Sequence, residues 1–249
     1  MRKILFFLFL TGAINSFAQT RSLVGVLIVK PKMGQQAAFE AAWKAHLKKF
    51  HQADTTNRRG VFEITSGVRD GSYYLTSSGM AWADLDIERP SNKAHDMDYA
   101  TTITSTLESG GGNEIFRWAD TLSYRPDVQA TKFLLTSYHI KTGKQNDVID
   151  EIKRAIAVNQ KINSPASYDG YIQQLPGSKP VVVLVRHLKD GFKELDPDYV
   201  KGLNDRFKAA YLEMYGQATW DKRMNAVADL TDLVEVEMIK YRADLSSVQ

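Results

Sequence analysis

The chain offers five histidines, His46, His51, His95, His139 and His187, and no cysteine at all. Disulfides, thiolate metal sites, iron–sulfur clusters, a cysteine nucleophile and a lipid-bearing cysteine are thereby excluded. His46 follows Trp43 at helical spacing and sits beside Leu47, at the edge of an apolar stripe. An unperturbed imidazole there has a pKa suited to acid–base work in a cavity. The same position equally suits a side chain whose ring packs while its polar tip stays in water. His51 lies at the polar end of the same helix, and His95 stands beside Asp96 and Asp98, the pattern of an exposed, charged first turn. Asp84 and Asp86 could read as paired carboxylates, but Glu194 and Asp196 repeat them 110 positions later. A motif that recurs in this way reads as a connector turn that caps a helix or bridges to Arg125 and Arg242. No Gly-x-Ser-x-Gly, phosphate loop, dinucleotide fingerprint or His-Glu-x-x-His occurs, and Gly110–Gly112 reads as a loop.

These residues must be positioned by a chain of 249 residues with 43% apolar and 24% charged side chains, the composition of a globular protein with one large core or two modest ones. Residues 1–18 differ. Arg2-Lys3, the apolar run Ile4–Leu10 and the small residues Ser16 and Ala18 match a secretory signal cleaved after Ala18. Thr11, Gly12 and Asn15 interrupt the run well short of the roughly 20 residues of a membrane span. An exported protein is expected, periplasmic or extracellular, with no membrane attachment after cleavage. Of 32 basic residues two belong to that segment, leaving 30 against 29 acidic ones, so no nucleic acid or other polyanion is expected as partner.

The elements are written twice. Val24–Phe50 is echoed by Phe133–Asn159, with Gly34 answering Gly143 and Phe39, Trp43 and Leu47 answering Val148, Ile152 and Ile156. Each copy is an apolar strand, a turn and an amphipathic helix. The first half continues with strands Val61–Thr65 and Tyr73–Ser77, a weak threonine-rich helix with Tyr99, Ile103 and Leu107 in register, and a fourth strand over Ile115–Arg125. The second half reads as strand Lys132–Ile140, helix Asp147–Gln160, strands Tyr168–Gln174 and Pro180–Leu188, helix Pro197–Tyr215 and strand Leu230–Tyr241, with Gln217–Ala228 inserted. The segments are therefore 1–18, a first repeat 19–129 and a second 130–249. A β-α-β-β-α-β order gives a four-stranded antiparallel sheet with both helices on one face. Strands apolar on both sides, such as Leu23–Val29, need the bare face covered too, and the other half supplies a matching sheet. In this topology His139 and His187 lie near opposite ends of neighbouring strands, roughly 20 Å apart at about 3.3 Å per residue, so they form no metal pair. No metal site is expected anywhere.

This order and duplication resemble the dimeric α+β barrel superfamily, two ferredoxin-like units packed sheet to sheet, here fused as an intramolecular α+β barrel. The resemblance places a substrate cavity between a sheet and its helices, which singles out Trp43, His46 and His95 as ligand-binding candidates. Some relatives hold haem through a histidine on a helix of the second half. The second-half helices have no histidine, so haem is not expected and no cofactor is favoured. Two readings follow. The absence of a convergent acid–base set favours a non-catalytic small-ligand-binding or scaffold protein. The alternative is a monooxygenase-like oxidoreductase, or an isomerase, working near Trp43, His46 and His95.

Overall fold

The computed structural model describes residues 21–51, 58–87, 92–125, 127–175, 177 and 179–247; the expected signal segment lies outside them. Strand β1 (Leu23–Pro31) leads through the left-handed Gly34 turn into helix α1 (Gln36–Phe50), followed by β2 (Arg58–Ser66) and β3 (Tyr73–Met80). Helix α2 (Asn92–Asp98) precedes β4 (Leu107–Trp118). The second half runs β5 (Lys132–Ile140), α3 (Gln145–Lys161), β6 (Tyr168–Leu175), β7 (Val181–His187), α4 (Pro197–Leu230) and β8 (Thr231–Tyr241).

The strands close into one antiparallel barrel in the order β1-β3-β2-β8-β5-β7-β6-β4. Each half contributes its strands in the same internal order, β4-β1-β3-β2 and β8-β5-β7-β6. The two sheets do face each other across a core, and they are also hydrogen-bonded at both edges: Phe62 pairs with Tyr241 and Ile64 with Ile239 on one side, Phe116 with Gln173 and Trp118 with Tyr171 on the other. Closure leaves no sheet edge unpaired, which face-to-face packing alone would not do.

Both faces of the barrel wall are apolar because both are covered. Outside, Phe39, Trp43 and Leu47 of α1 pack with Val29, Val61, Tyr73, Leu75 and Ile103. Val148, Ile152 and Ile156 of α3 do the same with Ile140, Val182 and Leu122. Inside, Ile64, Tyr74, Phe116, Leu135, Val181, Val183 and Ile239 form a third cluster.

Two elements depart from the sequence expectation. Past Asp98 the threonine-rich stretch leaves the α-helical path for a wider turn at Tyr99–Ile103 and a tight one at Thr104–Thr106. Thr101 and Thr102 hydroxyls donate back to the carbonyls of Met97 and Asp98, the competition that makes such residues poor helix interiors. The fourth strand consequently starts at Leu107, absorbs Gly110–Gly112 as strand rather than loop, and ends at Trp118. Helix α4 also goes further than expected. It breaks at Gly216, whose φ of +78° only glycine adopts freely, and is helical again through Leu230. Among the described residues no helix is long and apolar enough to cross a membrane.

The repeated acidic turns act locally. Asp84 accepts from the Ala81 amide at 2.8 Å and pairs with Arg21, Glu194 accepts from the Asp190 amide and lies near Arg186, and Asp196 caps α4 through the Asp198 amide. The expected bridges to Arg125 and Arg242 do not form. Arg242 instead clamps Glu40, Glu63 and Asp244, and Arg125 donates to the Ser164 carbonyl, so both guanidinium groups are engaged elsewhere.

Candidate functional site

Side chains from alternate positions of every strand point into the barrel, and they do not fill it. A cavity of about 370 Å³ remains, walled by Val24, Val26, Ile28, Phe62, Leu135, Val183 and their neighbours. Polar groups stand at both ends: Arg58, Arg59 and Ser78 where β2 begins and β3 finishes, and a larger group at the end where β1 finishes and β8 begins. Glu114 on β4, Gln173 on β6, His139 on β5, Glu235 on β8 and Arg69 from the β2–β3 turn all line it.

The charges are organised in pairs. Arg69 grips Glu237 with both arms, Nε to Oε1 at 2.8 Å and Nη2 to Oε2 at 3.0 Å, and the Tyr74 hydroxyl donates to the same carboxylate. Burial pushes the Tyr74 phenol far above its ordinary range. It also works against the Arg69 charge, yet the Glu237 pair outweighs it and holds the guanidinium pKa above normal. Beside them His139 Nε2 meets Glu235 Oε2 at 3.1 Å. Glu114 differs: burial raises its pKa, and Arg69, Gln173 and His139 only partly offset this. A carboxyl held above its usual range, lining the same cavity as a histidine–carboxylate pair, is a candidate to exchange a proton with a bound molecule.

A second cavity, about 310 Å³, lies between the second half's sheet and its helices, walled by Tyr138, Val148, Ile152, Tyr168, Leu184, Met224 and Leu230 with Glu151 and Arg223 at its side. This is the sheet–helix position expected from the sequence. In the first half the equivalent space is filled. Trp43 packs in the core and donates its indole N–H to the Leu245 carbonyl at 2.8 Å. His46 is buried rather than wet at its tip, with Nδ1 2.9 Å from Asp98, and burial lowers its pKa. His95 contacts His46, with ring centroids 4.6 Å apart, and Asp96. So the structure does bring Trp43, His46 and His95 together, along with His51, but none of them lines either cavity. His187 lies at the far end of β5 and β7 from His139, held by Asp169 and the Val128 carbonyl.

Sequence reasoning missed Glu114, Glu235, Glu237 and Arg69. The one available signal was in β8, where Val234-Glu235-Val236-Glu237 alternates: apolar bias predicts valines inward, whereas Val236 is half exposed and Glu237 is 1% exposed.

No protein-family model and no curated protein matches the sequence. Solved structures do match the fold. A provisionally assigned monooxygenase from Fusobacterium nucleatum subsp. nucleatum ATCC 25586 superposes with a TM-score of 0.54 at 13% identity, over 89% of this chain and 93% of its own. One from Lactobacillus acidophilus NCFM gives 0.53 at 7%, over 92% and 97%. A chlorite dismutase variant from Candidatus Nitrospira defluvii gives 0.53 at 6%, over 89% and 93%. The fold class is therefore the eight-stranded α+β barrel of these proteins.

Proposed function

We propose that the barrel lumen is the reaction cavity of an oxidoreductase of the monooxygenase type, acting on a small, largely apolar molecule with a weakly acidic C–H or O–H. The observation that carries this reading is the convergence of Glu114, His139, Glu235 and Arg69 on one end of a lumen whose middle is walled by apolar side chains. The same convergence displaces the non-catalytic reading, which rested on there being no such set. In this scheme Glu114 takes the substrate proton, the bonding pair stays on the substrate, and the Arg69 guanidinium stabilises the resulting anion. With dioxygen as oxidant, a methylene becomes a carbonyl while one oxygen atom enters the product and the other leaves as water, so no external reductant is needed.

That these barrels include monooxygenases supports the class of chemistry. Haem fits less well: the sheet–helix cavity of the second half is lined by tyrosines and Met224 but no histidine. We also read the halves as tandem ferredoxin-like repeats, on the shared strand order and the matched helix positions, and residues 1–18 as a cleaved export signal.

The test starts from the purified protein. Mass spectrometry of small molecules that co-purify identifies candidate ligands, and oxygen uptake is then measured with each. Glu114→Gln should lower turnover about 10²–10⁴-fold, the usual contribution of a positioned base, while leaving binding nearly intact. A ligand bound in the lumen with no turnover in the wild type would return the protein to the binding class.

A further inference from the structure

Outside the lumen, where α1 ends against α2, three imidazoles converge. His46, His51 and His95 each present a ring nitrogen within 4.8 Å of the other two. We propose that they form a three-histidine site for a divalent cation of the zinc type, distinct from the lumen and independent of the reaction assigned there. This departs from the sequence expectation of no metal, which placed His51 at a polar helix end and His95 in an exposed turn.

Four observations carry the site. His51 Nε2 and His95 Nε2 are 3.2 Å apart, close to the edge of about 3.3 Å that a tetrahedron with zinc–nitrogen bonds near 2.05 Å requires. His46 is 1% exposed, and its Nε2 has no hydrogen-bond partner among the described residues, a cost that buried polar atoms rarely bear without a ligand. Its Nδ1 lies 2.9 Å from Asp98, whose other oxygen takes Lys49 Nζ at 2.8 Å, and His95 Nδ1 lies 2.9 Å from Asp96. A carboxylate on Nδ1 fixes the tautomer that bares the Nε2 lone pair and strengthens it, which is how metal-bound histidines are commonly oriented. Finally, Trp43, Phe50 and Tyr99 wall the cluster with aromatic rings 5.0–5.9 Å from His46, a dry shell around the ring nitrogens. Nitrogen-only donors favour zinc, cobalt, nickel or copper over magnesium or calcium. With three protein ligands, one tetrahedral position is left for water or an exogenous ligand. Bound metal would tie the seven-residue α2 to α1, a helix too short to hold itself.

The test uses untagged full-length protein stripped with a chelator and titrated with Zn²⁺ and, separately, Co²⁺. One ion per chain is expected, and Co²⁺ should show the intense visible bands of a tetrahedral nitrogen-ligated ion. His95→Ala, the least buried of the three, and His51→Ala should each weaken Zn²⁺ at least about tenfold, and Asp98→Asn by about 10–100-fold. Zn²⁺ should raise the melting temperature of the wild type but not of His95→Ala. His46→Ala removes a core ring and risks unfolding, so His95→Ala, checked by circular dichroism, decides the matter. Absence of stoichiometric binding, or binding undiminished in folded His95→Ala and His51→Ala, overturns the proposal.

Discussion

Glu237 has a side chain with no exposed surface, and Arg69 is what makes that tolerable. Removing one member of a buried pair leaves an uncompensated charge, whereas replacing both with apolar groups can be neutral. Arg69→Met should therefore cost about 3–5 kcal/mol in denaturant unfolding. The double change Arg69→Met with Glu237→Leu should recover much of that loss, and a double variant as unstable as the single one would show that the loss does not come from breaking this pair. Glu114 behaves oppositely. Its pKa is raised in the folded state by burial, so the folded protein binds that proton more tightly than the unfolded chain does. Its contribution is favourable in acid and is lost as pH rises from the ordinary value of 4.5 through the raised one. Glu114→Gln should flatten stability against pH in that window and leave the neutral-pH protein at least as stable. Melting temperatures taken from pH 4 to 8 check this, and an unchanged slope would count against a perturbed Glu114.

At the scale of elements, the barrel wall tolerates almost no added volume where turns cross it. A Cβ on Gly170 would sit 2.4 Å from Leu122 Cβ and 2.5 Å from its carbonyl oxygen, and Gly170 also bonds the Ala119 amide through its own carbonyl. Backbone cannot step aside as a flexible side chain can. Gly170→Ala should destabilise by about 1–3 kcal/mol or more, the range for overpacking, and should shift the β4–β6 seam, where hydrogen exchange of the Ala119 amide, bonded to the Gly170 carbonyl, would quicken. Exchange unchanged at the seam would mean the short 3₁₀ turn at Asp120–Leu122 relaxes instead. Helix α2 is weak by contrast, with seven residues and a threonine-rich exit, so what holds it is Asp98 on His46 and Lys49 and Ile103 in the core.

For the whole molecule, closure makes the halves interdependent. Cutting at Pro126–Ala130 would expose the β2 and β4 edges of one half and the β6 and β8 edges of the other, together with the apolar face of each sheet. Exposed edges and patches of that kind drive association. Each half expressed alone should aggregate or self-pair, as read by light scattering, whereas a monomeric half that unfolds cooperatively would contradict the design. Export is tested separately: the mature protein should begin at Gln19, intact or cyclised with loss of ammonia, and Met1 on the exported species would refute cleavage.

The order of elements along the chain and the helix faces were legible in the sequence because they follow from short-range periodicity: Phe39, Trp43 and Leu47, like Val148, Ile152 and Ile156, must share a face at 3.6 residues per turn wherever the helix docks. Periodicity also located β5 at Lys132–Ile140 to the residue. It could not reveal how the sheets meet, since edge pairing between Phe62 and Tyr241 joins residues 179 positions apart. Nor could it find either site. The lumen charges come from β4, β5, β8 and the β2–β3 turn, and the inward glutamates of β8 run against the apolar bias that assigns a strand's buried face. The three imidazoles join only because α2 folds back onto the end of α1. Local spacing fixes what each element presents; which groups become neighbours is decided by long-range closure, and burial then sets their protonation.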